Sequence, residues 1–251
     1  MGFSVVIPSR FGASRLPGKP LLYIAGKSLI QHVFECAQRS DAEQIVIATD
    51  DERIADVAIG FGAEVCMTSA DHPSGTDRLA EVVVKQSYTD DHVIVNLQGD
   101  EPLMPPAVIN QVAQNLITRA GASMATVCKR IKTSRMLFDP HVVKVVSDEQ
   151  GYALYFSRAA IPWDRERFPM DEDLPEYFTH YAHIGLYAYR CGFLKDYVRW
   201  SVCHLEETES LEQLRVLYKG HKIHVEEALM VPGPGVDTEA DLQEVLSLIK
   251  R

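Results

Sequence analysis

The stretch "SRFGASRLPGKPL", residues 9 to 21, gathers Arg10, Arg15 and Lys19 among glycines and a proline. No acid precedes Glu35, although the whole chain holds 35 acidic and 25 basic residues and carries a net charge of −10. A cationic loop at the head of an acidic protein calls for an anion. Guanidinium forks and a lysine point charge suit a triphosphate, which needs both bidentate contact and charge neutralisation. A Walker A loop is excluded, because one residue too many separates Gly12 from Gly18 and Pro20 stands where a Ser/Thr hydroxyl would reach the metal.

Other stretches complement that loop. "VNLQGDEP" places Asp100 directly after an apolar run, where a hard carboxylate oxygen can ligate Mg²⁺. "VPGPGVDT" offers Asp237 as a second ligand, with glycines that allow close backbone approach and Thr238 as a helix cap. "SGTDR" supplies a small hydroxyl and exposed backbone N–H groups. No Ser/His or Cys/His pairing suggests a nucleophile. The five cysteines are scattered and include no CxxC pair, which predicts reduced thiols and no structural zinc.

The elements that must hold these loops follow from hydrophobic periodicity. "FSVVIP", "QIVIATD", "EVCMTS" and "HVIVNLQGD" read as buried strands. Between them, "SLIQHVFECAQR", with Ser28 as a cap, "DERIADVAIGFG" and the run after "SGTDR" read as helices, and "PPAVINQVAQNLITR" opens on proline as a helix can. This alternation predicts an α/β fold, a doubly wound and mostly parallel sheet. From about 125 the pattern changes. "VVKVVSDEQGYALYFSR" reads as a hairpin, "WDRERFPMDEDLPEYF" as a surface loop and "HIGLYAYR" as a strand. "SLEQLRVLY" reads as a helix, "KIHVEEALM" as a strand and "TEADLQEVLSLIKR" as a closing helix. The expected organisation is one domain, 1–251, with an antiparallel, β-rich insertion at about 130–200. In such a sheet, ligands collect beyond the carboxyl ends of the strands, which is where the charged loops lie.

The net negative charge argues against nucleic acid or an anionic membrane surface as a partner. No stretch approaches the ~18 apolar residues of a membrane helix, and Arg10 interrupts any secretory pattern. A soluble, cytoplasmic protein is expected.

Taken in order, "SRFGASRLPGKPL", "ADHPSGTDRLAE", "VNLQGDEP", "YFSRAAIPWDR", "HIGLYAYR", "LEQLR" and "VPGPGVDT" resemble the 3-deoxy-manno-octulosonate cytidylyltransferase (CMP-Kdo synthetase) family of Gram-negative bacteria, over nearly the whole chain. "LPGKP" and "QGDEP" belong to sugar cytidylyltransferases in general, whereas "SRAAIPWDR" and "LEQLR" narrow the resemblance to the Kdo enzymes. One departure is Ser9, where Pro-Ala-Arg would be expected.

The resemblance implies a nucleotide-diphospho-sugar transferase-like Rossmann variant. It implies the reaction of CTP with Kdo to give CMP-Kdo and pyrophosphate, for lipopolysaccharide, with Mg²⁺ as cofactor and no covalent enzyme intermediate. Arg10, Arg15 and Lys19 would then face the triphosphate, and Pro8, Ser74, Gly75 and Arg78 the cytosine and ribose. Asp100 and Asp237 would hold the metal, and Arg15 and Lys19 the leaving pyrophosphate. Gln98, Arg165, His183, Tyr187, Glu212 and Gln213 would form the sugar pocket, with Arg165 on the Kdo carboxylate. A homodimer formed through the insertion is also implied. The rival readings are an N-acylneuraminate cytidylyltransferase, with another sugar pocket, and a nucleotide-binding regulatory module that releases no pyrophosphate.

Overall fold

Phe3, Val5 and Ile7 alternate with Val6 along the first strand, and this alternation divides the core into two faces. The computed structural model describes residues 2–12, 16–168, 174 and 178–249. Its first half runs β1 (Phe3–Ser9), a 3₁₀ turn at Lys19–Leu21, the small hairpin β2 (Tyr23–Ile24) and β3 (Lys27–Ser28), and α1 (Leu29–Gln38). Then come β4 (Gln44–Thr49), α2 (Glu52–Gly60), β5 (Glu64–Met67), α3 (Gly75–Lys85), β6 (Val93–Asn96) and α4 (Pro106–Thr118). The second half holds β7 (Met124–Arg130), α5 (Ser134–Phe138), β8 (Lys144–Ser147), β9 (Ala153–Ser157) and β10 (Tyr181–Arg190). It closes with α6 (Cys191–Tyr197), α7 (His204–Glu209), α8 (Gln213–Tyr218), β11 (Ile223–Glu227) and α9 (Glu239–Ile249).

The main sheet has the order β11-β7-β10-β6-β1-β4-β5. Every neighbouring pair on this path is parallel except those made by β10, which lies antiparallel between β6 and β7. Phe3, Val5 and Ile7 pack with Ile30, Val33 and Phe34 of α1 and Val108, Ile109 and Val112 of α4. On the opposite face Val6 packs with Leu79, Val82 and Val83 of α3 and Phe193 and Leu194 of α6. Both faces are therefore covered, as the doubly wound reading requires. The chain winds outward from β1 through β4 to β5 and then returns to β6 on the other side of β1. That reversal makes the carboxyl ends of β1 and β6 the topological switch point.

The antiparallel insertion is narrower than the expected 130–200. β10 is a central strand and α6 contributes to the main core, so 181–200 belong to the body of the domain. The excursion proper is the β8–β9 hairpin and its loops, whose start pairs with β10 and which has a small core of Ile131, Leu137, Phe168, Leu174, Phe178 and Ala182. Ser28 stands at the N-cap of α1, but its hydroxyl makes no capping bond. Thr238 does cap the closing helix: Asp241 N donates to its Oγ1, and the Asp241 carboxylate accepts from Thr238 N.

Candidate active site

At the switch point the backbone approaches itself closely. A Cβ on Gly99 would lie 2.9 Å from the carbonyl oxygen of Pro8, so only glycine lets the ends of β1 and β6 meet there. The loop after β1 folds back on itself: Gly18, with φ +70°, donates its N–H to Phe11 O at 3.0 Å and delivers Lys19 into the 3₁₀ turn. From the far end of the chain, residues 231–237 run alongside the "QGDEPL" loop. Val236 N donates to Asp100 O at 2.8 Å, and a Cβ on Gly233 would meet Leu103 Cβ at 2.7 Å. The α9 residues Leu242 and Val245 anchor this segment on Ile24 and Leu29.

These three segments converge on one ammonium. Lys19 Nζ donates to Asp100 Oδ2 at 2.6 Å, to Asp237 Oδ1 at 3.1 Å and to Val236 O at 2.8 Å. The two carboxylates expected to share a metal thus share a cation, and their nearest oxygens lie no farther apart than the sum of those two distances. Beside them, burial pushes the Glu101 carboxyl up to about 7, reinforced by the Asp100 and Asp237 charges.

The ammonium lies in the wall of an open cleft of about 360 Å³, which is also lined by Pro8, Ser9, Arg10, Ser74, Gly75, Arg78, Gln98 and Glu212. Ser74 caps α3, accepting from Asp77 N and donating to the Asp77 carboxylate, so the N-terminus of an 11-residue helix opens into the cleft. Arg78 lines the cleft, but its buried guanidinium is held by Asp50 at 3.3 Å and by Thr68 Oγ1. Ser9, the departure noted above, is 4% exposed and its hydroxyl has no hydrogen-bond partner among the described residues.

A second cavity of about 280 Å³ adjoins the first and shares Gly75, Gln98 and Glu212 with it. Tyr187, Gln213, Asn96, Thr76, Tyr189 and Tyr197 also line it. A bulge in β10 between Ile184 and Tyr187, bridged by Thr126 Oγ1 donating to Leu186 O at 2.8 Å, sets Tyr187 at this wall. Burial raises the Glu212 carboxyl and the Tyr187 and Tyr189 phenols above their ordinary values.

The structure therefore brings together Pro8, Arg10, Lys19, Ser74, Gly75, Arg78, Gln98, Asp100, Glu212 and Asp237 around the cleft, and Tyr187 and Gln213 beyond it. Arg15 lies outside the described residues. Two expected sugar residues line neither cavity. Arg165 is exposed on the excursion. His183 pairs with Thr126 Oγ1 at 3.0 Å under the edge of Phe156, and burial pushes its imidazole down to about 3. Sequence reasoning missed Thr76, Asn96, Tyr189 and Tyr197. The i, i+2 spacing of Tyr187 and Tyr189 on one strand was the signal available for Tyr189.

Residues 4–223 match the Cytidylyltransferase family. A 3-deoxy-manno-octulosonate cytidylyltransferase of Hahella chejuensis is 55% identical, covering 99% of this chain and 98% of the relative. The enzyme of the same description from Haemophilus influenzae is 54% identical, covering 99% of both chains. A solved structure of a CMP:2-keto-3-deoxy-manno-octonic acid synthetase complexed with CTP superimposes with a TM-score of 0.90 at 40% identity, over 100% of this chain and 99% of that one. A cytidylyltransferase of Leptospira borgpetersenii, at 16% identity and a TM-score of 0.64, shares the fold. With a match of this extent and relatives this similar along their whole length, the chain belongs to the 3-deoxy-manno-octulosonate cytidylyltransferase family.

Proposed function

We propose that this chain transfers CMP from CTP to the anomeric hydroxyl of Kdo, releasing pyrophosphate, as a cytoplasmic step towards lipopolysaccharide. The observation that carries the reading is the Lys19–Asp100–Asp237 cluster in the wall of a polar cleft that opens into a hydroxyl-rich cavity lined by no lysine or arginine. A triphosphate fits the cleft, with Arg10 and Lys19 on its phosphates and the α3 N-terminus, Ser74 and Gly75 beside the base and ribose. The sugar fits the second cavity, against Gln98, Tyr187, Glu212 and Gln213. Its hydroxyl oxygen gives up its proton to solvent and forms the new O–P bond as the bond to the bridging oxygen of pyrophosphate breaks, and Lys19 stabilises the charge that grows there.

The donor set fits magnesium. Two hard carboxylates already converge on one cation, and no group of three or more His, Cys, Asp or Glu ligands occurs among the described residues. The remaining positions would fall to phosphate oxygens and water, the usual partition for this ion. When bound, the ion supplies Lewis acidity at the α-phosphate. Lys19 then exchanges its carboxylate partners for phosphate oxygens.

The five cysteines, all free and buried, accord with a reducing compartment. The excursion exposes two large apolar side chains, Trp163 at 59% and Leu154 at 62%, and we assign the excursion to contact with a second copy. Sedimentation of Trp163→Asp should then show a shift from dimer to monomer, and an unchanged species would remove the assignment.

A pyrophosphate-release assay with CTP tests the main reading. Release with Kdo, lost on chelation of Mg²⁺, is the expected result. Release only with N-acetylneuraminate would assign a different sugar, and CTP binding without release would leave a regulatory module.

A further inference from the structure

Four consecutive residues, Ser210 to Gln213, line the second cavity. They form the turn from α7 into α8, and Ser210 holds a left-handed backbone there with φ +52°. A residue other than glycine stays in that conformation only where its surroundings fix it. One support is internal to the two helices. The Arg215 guanidinium donates to the Glu206 carboxylate through Nε at 2.6 Å and Nη2 at 2.5 Å, and both residues are buried. That pair ties α7 to α8 and leaves their placement against the sheet to other contacts.

The link to the sheet is Glu209, the last residue of α7. Its Oε1 accepts from Ser157 Oγ at 2.7 Å and its Oε2 from Arg158 N at 2.9 Å, while its carbonyl oxygen accepts from Arg158 Nε at 2.7 Å. Ser157 ends β9 and is 3% exposed, and its hydroxyl also accepts from Ala159 N at 3.0 Å. Arg158 carries the contact on to Pro140 O at 2.9 Å, ahead of β8. Both carboxylate oxygens of Glu209 are thus engaged by the opening residues of "SRAAIPWDR", at the base of the excursion, and the side chain lines neither cavity.

We propose that Glu209 is a positioning residue for the sugar: its carboxylate clamps the 210–213 turn to the end of β9 and so fixes where Glu212 and Gln213 stand in the cavity. Hydrogen bonds to an ionised acceptor are short and strong, which suits a joint that must hold a turn against the sheet. Cutting the joint leaves the Glu206–Arg215 pair intact, so the two helices keep their mutual packing while the turn loses its reference to β9. This inference rests on the reading that the second cavity holds the sugar.

The test uses the full chain. Glu209→Ala should raise the apparent KM for Kdo about tenfold, the loss expected for hydrogen bonds to a charged group, with the CTP dissociation constant measured by calorimetry unchanged. Glu209→Gln keeps one acceptor oxygen and should recover part of that loss. Ser157→Ala removes one of the links and should raise the Kdo KM about threefold; it carries the test if Glu209→Ala does not fold. The Glu209→Ala/Ser157→Ala pair should be no worse than Glu209→Ala alone, because both cut one joint. Gln98→Ala and Gln213→Ala report on the underlying reading. If they raise the Kdo KM while Glu209→Ala and Ser157→Ala do not, or if the latter two effects multiply, the clamp is overturned and the sugar site stands. If Gln98→Ala and Gln213→Ala leave the Kdo KM unchanged, both inferences fall. Equal weakening of CTP and Kdo in the Glu209 and Ser157 variants would overturn the clamp and mark both residues as general packing.

Discussion

The nucleotide cleft and the cavity beside it are built on opposite principles. The cleft is made of loops and charge: Lys19 sits between two carboxylates drawn from segments 81 and 217 to 218 residues away. The cavity is made of strands and helix turns, and its polar groups, apart from the Glu212 carboxyl, are hydroxyls and amides held by buried neighbours. On the proposed function, the difference follows from what each would recognise. A triphosphate is identified by charge, which acts over several ångströms and tolerates movable side chains. A sugar is identified by the positions of its hydroxyls, which demands a rigid wall.

This contrast predicts unequal sensitivities. The largest effect belongs to the carboxylates: Asp100→Asn and Asp237→Asn should each nearly abolish pyrophosphate release while the melting temperature stays close to that of the parent, since an amide keeps the shape and removes the charge that holds a hard cation. Wild-type turnover in either variant would take that residue out of the proposed metal site. Next comes Lys19→Met, expected to lower turnover by roughly 10²–10³ with a smaller loss of CTP affinity, because its partner charge grows as pyrophosphate leaves. Equal losses in both would mean that the lysine only binds ground-state nucleotide.

Beneath the cavity, acid should act through His183. Burial lowers its folded-state value to about 3 from the ordinary 6.5, so the unfolded chain takes up the proton first as the pH falls. The stability His183 contributes is fully present above pH 6.5 and is lost as the pH drops from 6.5 towards 3. His183→Gln should therefore show a shallower decline in its urea midpoint across that window, and an identical decline would locate the acid sensitivity elsewhere. The smallest effect is at Ser9. Ser9→Ala removes a buried hydroxyl that has no partner among the described residues. It should stabilise the ligand-free protein by about 1 kcal/mol, a rise of roughly 2–4 °C by calorimetry in a domain of this size; a lower melting temperature would show that the hydroxyl is satisfied in solution.

The same contrast explains what could be read from the sequence. The strands β1, β4, β5 and β6 and the helices between them are long periodic runs, and the cleft loops carry conspicuous charge in "LPGKP" and "QGDEP". The clasp itself was hidden, because nothing local shows that Lys19 would meet Asp100 and Asp237 directly. α6 and α7, with 7 and 6 residues, are too short for a helical period to declare itself. β10 was legible as a strand, but its central antiparallel place between β6 and β7 was not, since pairing partners are chosen by packing and register across the sheet. Thr76, Asn96 and Tyr189 each fit an ordinary helix or strand position, and only their convergence on one cavity distinguishes them. Arg165, read from a resembling motif, is exposed on the excursion and lines neither cavity.

The contact between Lys19 and Asp237 also has a meaning for the life of the molecule during its synthesis. It joins residues 218 positions apart, so the cluster cannot close until residues 231–237 and the last helix have emerged and docked. Contacts of such long range come at the end of folding, after the entropy of loop closure has been overcome. A nascent chain can complete its central sheet and still lack half of the carboxylate pair. Nucleotide binding that needs the whole cluster would then select only finished molecules, stabilising them by mass action and leaving partly folded ones unaided.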